Sequence, residues 1–174
     1  MTDFEVATQK YNQAHAVLGT LQNAAAPQVL AKADAQPAMD LFADALDAAM
    51  RACQNQASAA PYQLAAAILA NMAVWAQSLG EARGYAQDAL DNIAIALEGV
   101  AQDGAGAQQL LFWQQRMQGI VARPGQDTDP APMWGTATQA YLDAPKTQAA
   151  SSGLWLGILA ALGGGYAWYR RRKP

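Results

Sequence analysis

The sequence predicts an all-α protein: an antiparallel bundle of about five helices over residues 1–121, a Pro-rich flexible linker at 122–150, and a C-terminal transmembrane helix with a basic tail at 151–174. Three observations predict it. Apolar residues recur at alternating spacings of three and four through the first 121 residues, with no competing strand alternation. Pro124, Pro130, Pro132 and Pro145, with Gly125, Asp127 and Asp129, then break regular structure. Finally, residues 153–169 form an uncharged run of 17, about 25 Å long at ~1.5 Å per residue, which is at the lower edge of what crosses a bilayer as a helix.

The first helix opens on a capping box, Thr2 to Glu5, and carries Phe4, Ala7, Tyr11, Ala14, Leu18 and Leu21 along one face. Pro37 opens the second, where Met39, Phe42, Leu46, Ala49 and Cys53 repeat the pattern. Pro61 opens the third, with Leu64, Ile68, Met72, Trp75 and Leu79 on one side. Gly80 to Gly84 reads as a break, after which a fourth helix runs through Tyr85, Ala86, Leu90, Ile93, Leu97 and Val100 to a stop at Asp103, Gly104 and Gly106. A short fifth, from Gln108 to Val121, carries Leu110, Trp113, Met117 and Val121.

A second architecture fits the same elements. Ala73, Trp75, Leu79, Gly80, Tyr85, Ala89 and Leu97 resemble a stretched tetratricopeptide hairpin, which implies TPR-like helical hairpins in place of a bundle. The second helix lies several residues too far downstream for the standard repeat of about 34 residues, and no second copy is evident. Alanine favours helix yet buries only one methyl, so the helices are expected to pack closely around a few large side chains, Trp75 foremost.

Within the linker, residues 132–144 can form one short helix after Gly135. Met133, Trp134, Tyr141 and Leu142 are costly to leave in water. They read as a partner motif centred on Trp134 and Tyr141, as a segment lying on lipid, or as a strap packed back on the bundle.

In the tail, Trp155 near one end and Tyr166, Trp168 and Tyr169 at the other occupy positions where amphipathic rings prefer the headgroup region, and Arg170, Arg171, Arg172 and Lys173 complete the chain's basic end. Gly153, Gly157, Ala161 and Gly165 recur at every fourth position, a ridge of small residues that lets two helices approach closely in lipid. The competing readings are a C-terminal helix docked on the bundle and a ridge produced by Ala- and Gly-rich composition. This Gly-rich apolar stretch ending in arginines resembles the ElaB/YqjD group of bacterial C-tail-anchored proteins, and the overall plan is similar to that of mitochondrial fission adaptors. These resemblances cover the last 20 or so residues or the architecture, and imply an anchor without carrying a function across. Residues 1–20 contain Asp3 and Glu5 and no apolar core, so no signal peptide is expected and the bundle is expected on the cytoplasmic side, with the bacterial inner membrane as the site. A tail that inserts after synthesis runs against the positive-inside tendency.

All 14 acidic residues precede Ser151 against seven Lys and Arg there, so the first 150 residues carry a net −7 and the tail +4. An acidic body is a poor nucleic-acid binder, because phosphate affinity needs clustered cations. The lone Cys53 excludes an internal disulfide, and its apolar neighbours suggest a buried thiol. His15 is the only histidine, expected at the edge of the core near Tyr11 and Leu18. No Gly-rich phosphate loop comes after a strand, and no nucleophile has a base at recognisable spacing. No catalytic residue, cofactor or metal site is therefore expected. Asp40, Asp44 and Asp47 share a helix face with Arg51 one turn beyond Asp47, read as a solvated face with an ion pair or as a docking stripe for a basic partner. The expected function is a noncatalytic, tail-anchored interaction protein that recruits a protein partner, another transmembrane helix or a second copy of itself to membrane lipid. The alternative is a self-associating, membrane-active assembly gated by the helical domain.

Overall fold

The computed structural model describes residues 1–25, 30–101 and 104–132. It is an all-helical bundle of five α-helices: α1 (Asp3–Ala25), α2 (Gln36–Asn55), α3 (Ala59–Trp75), α4 (Leu79–Glu98) and α5 (Ala105–Val121), with one 3₁₀ turn (Lys32–Ala35) leading into α2. Among the described residues there is no strand, only an isolated antiparallel bridge between Ser78 and Pro130. The helices pack in chain order, α1 on α2, α2 on α3, α3 on α4 and α4 on α5.

That order makes α3 the central helix, and its sequence shows why. AAPYQLAAAILANMAVW is apolar on every side, and all residues from Leu64 to Ala73 are buried, as a helix without a polar face requires. The expected face of Leu64, Ile68, Met72 and Trp75 is inside, and so is the rest of the circumference. α1 buries Ala7, Tyr11, Ala14 and Leu18, with Phe4 and Leu21 partly covered. In α2 the buried stripe is Ala38, Phe42, Ala45, Ala49 and Ala52, rotated one position from the expected face, so Met39, Leu46 and Cys53 sit half-buried at its edge.

The third helix ends at Trp75 and the fourth begins at Leu79, so Gly80 and Gly84 lie inside α4 and the break falls earlier in the chain than the glycines suggest. The reason is a second capping box. Ser78 Oγ accepts from the Glu81 amide at 3.2 Å, and the Glu81 carboxylate accepts from the Ser78 amide at 3.3 Å, which satisfies two amides that a helix start otherwise leaves open. At the start of α1 the expected Thr2–Glu5 box is present, with bonds of 2.7 and 3.2 Å, and these Thr2 bonds pull the Glu5 carboxyl below its ordinary value.

Alanines make up much of the core. The largest side chains with almost no exposure are Phe42, Ile68, Ile93, Leu110, Met117 and Pro61, and Tyr11, Trp75 and Trp113 are buried beside them, so the small residues set the helix spacing and the large ones fill the gaps. Two asparagines are buried: Asn71 Nδ2 donates to the Ala67 carbonyl at 2.8 Å and the Tyr11 hydroxyl at 3.3 Å, and Asn92 donates to the Asp88 carbonyl at 2.9 Å. Trp113 Nε1 is buried with no hydrogen-bond partner among the described residues, a cost of about 1–3 kcal/mol that its ring burial must exceed.

Candidate functional site

The acidic stripe is the one predicted partner surface within the described residues. Asp40, Asp44 and Asp47 lie on the outer side of α2, with Asp44 and Asp47 flanking the buried Ala45 and Ala48. Asp44 Oδ2 pairs with Lys10 Nζ at 2.6 Å across to α1, and Asp40 Oδ1 accepts from Gln36 Nε2 at 2.8 Å. Arg51 does not close on Asp47, as the one-turn spacing suggests; its Nε reaches Asp3 Oδ1 of α1 at 3.1 Å. Two opposite-charge pairs thus bridge α1 and α2 near solvent, where each is worth ~0.2–1 kcal/mol. Trp134, Tyr141, the small-residue ridge at Gly153, Gly157, Ala161 and Gly165, and the aromatic and basic positions from Trp155 to Lys173 lie outside the described residues.

Close to the stripe, at the junction of α1 and α2, sits His15 between two rings. It meets Tyr11 edge to face, with centroids 4.7 Å apart and planes at 82°, and Phe42 at 5.3 Å and 80°. Burial pushes its pKa down from 6.5 to about 4, because an apolar surround disfavours the charged ring. The neutral imidazole is a wall of the core. Cys53, half-buried, has its thiol pushed up to about 11 by burial, which leaves it protonated and a poor nucleophile. Lys32 Nζ donates to the Ala76 carbonyl at the end of α3 at 2.8 Å, and burial lowers its pKa to about 8. Among the described residues, no three His, Cys, Asp or Glu side chains gather as a metal site, and no helix is long and apolar enough to cross a membrane.

The most elaborate polar arrangement is one that no local sequence pattern announces. Of the stretch that reads as a linker, residues 122–132 lie across the corner between α3 and α4. The Leu79 amide donates to the Asp129 carbonyl at 2.8 Å, the Gly80 amide to the Asp127 carbonyl at 2.9 Å, and the Ala131 amide to the Gln77 carbonyl at 2.8 Å. The first two amides of α4 are thereby satisfied by the strap, and the third by Ser78. Arg83, one turn into α4, closes the arrangement: Nη1 meets Asp127 Oδ1 at 2.6 Å, while Nη2 donates to the carbonyls of Arg123 and Gly125. Two glycines make room. A Cβ on Gly80 would stand 2.7 Å from Asp127 Cβ and 3.0 Å from its carbonyl oxygen, and Gly125 holds a φ of 137° that other residues rarely adopt. The strap turns on itself, with the Gln126 amide donating to Asp129 Oδ2 at 2.8 Å.

Comparison of the chain with protein-family models, with curated proteins and with solved structures finds no match.

Proposed function

We propose that the protein is a noncatalytic, membrane-tethered interaction protein, an adaptor or accessory subunit whose helical body brings a protein partner to a membrane. The observation that carries this reading is the contrast within the chain: an uncharged 17-residue run ending in Arg170, Arg171, Arg172 and Lys173, behind a body of net charge −7. Lipid phosphates complement the tail, at ~1 kcal/mol per basic residue on an anionic surface, and a bilayer accommodates the run. The body supplies alanine-built packing and an acidic edge at Asp40, Asp44 and Asp47, a surface suited to a basic protein partner.

Fractionation tests the tether. After lysis and ultracentrifugation the full chain is expected in the membrane pellet and resistant to alkaline extraction, while a chain ending at residue 150 is expected in the supernatant. Full-length protein in the supernatant overturns the proposal. The ridge at Gly153, Gly157, Ala161 and Gly165 favours a second reading, self-association in the membrane. Crosslinking in membranes separates the two, since an adaptor gives a heteromeric product and a self-assembly gives a homomeric ladder.

A further inference from the structure

The strap at 122–132 is bound to the bundle in a way the helices are not bound to each other. Residues 122–130 are all exposed, and only Ala131 is buried. A short set of polar bonds holds it: three backbone hydrogen bonds to Gln77, Leu79 and Gly80, and the Arg83 guanidinium on Asp127 and two carbonyls. Local opening is easiest where buried apolar contact is thin and the hydrogen bonds lie near solvent. The strap meets both conditions, while α3 beneath it meets neither. The bonds also adjoin one another, since Arg83 and the Gly80 amide both hold Asp127, with the Leu79 amide on the Asp129 carbonyl and the Ala131 amide on the Gln77 carbonyl just beyond, so loss of the clamp loosens the rest.

We propose that residues 122–132 form a latch that opens as one unit ahead of the bundle, with Arg83 as its clasp. Closed, it holds the chain up to Ala131 at the α3–α4 corner. Open, it frees a segment that can span up to about 36–40 Å when extended, at ~3.3–3.6 Å per residue. Resting on the membrane-tether reading, that length adds to the reach of the remaining residues that precede the apolar run at 153–169. The latch itself is a property of the folded body and is tested apart from any membrane location.

Residue-resolved hydrogen exchange of the full chain in detergent micelles is the experiment. The amides of Leu79, Gly80 and Ala131 are expected to share one protection factor, at least about 100-fold below that of the Leu64 to Met72 amides in α3. Gly80→Ala is the sharper variant, because it improves helix propensity while driving a methyl into Asp127. It is expected to speed exchange at Leu79 and Ala131 by at least about tenfold with the α3 amides unchanged. Arg83→Gln, at the surface, is expected to do the same. The proposal is overturned if the strap-bonded amides exchange in step with α3, if the variants speed α3 equally, or if both leave Ala131 unchanged.

Discussion

His15 shows how one side chain carries a pH dependence into the whole fold. Its ring is held neutral between Tyr11 and Phe42, so the unfolded chain takes up a proton that the folded chain refuses as pH falls through 6.5 toward about 4. The resulting stability is fully present above about 6.5 and drains away down to about 4. Between pH 7 and pH 5 the loss is expected to reach up to roughly 2 kcal/mol, at ~1.36 kcal/mol for each pH unit across which the unfolded chain holds one more proton than the folded one. Urea unfolding at the two pH values measures it, and in His15→Gln the difference should shrink to the contribution of the carboxylates alone. An unchanged pH slope in that variant would show that the ring titrates normally. The sequence places His15 correctly beside Tyr11, because both lie on one side of α1. It does not reveal Phe42 as the second wall, nor that Arg51 chooses Asp3 over Asp47, because those contacts join helices across a loop.

Among the elements, α4 is the least legible. Gly80 and Gly84 suggest a break, since each costs a helix interior about 1 kcal/mol relative to alanine. The structure offsets that cost with the Ser78–Glu81 box and with strap carbonyls on the first two amides. The box is readable as Ser-x-x-Glu; the strap is not, because its bonds join backbone groups roughly 50 positions apart and depend on no side-chain pattern. Ser78→Ala is accordingly expected to cost about 1 kcal/mol, and Thr2→Ala less than half of that, because Thr2 is exposed while Ser78 is half-buried at a corner that strap bonds also hold. Denaturant midpoints of the two variants give the comparison; equal costs would mean that the corner adds nothing to the cap. α1 is legible throughout, since its buried residues keep to the expected stripe; in α3 the expected face is buried but so is the rest of its surface, and α5 begins at Ala105, so Gly106, read as a stop, lies inside it and Ile120 is buried where Val121 was expected.

At the scale of the molecule, the sequence sets an acidic helical body apart from the uncharged run and basic end at 151–174, with a Pro-rich stretch between them. A chain ending at residue 132 is therefore expected to keep its helical circular dichroism and to melt within about 2 °C of the full chain, a smaller change than ~1 kcal/mol would produce. A larger drop would show that the body leans on residues 133–174. The candidate partner surface is only partly legible, since charge spacing reveals the stripe on α2 but not which carboxylates α1 occupies. The stacking of each helix on the one before it has one more consequence. Every helix meets its partner in the stretch most recently synthesised, so contacts stay local and folding should be fast, and the body can mature on the ribosome while the hydrophobic tail is still being translated.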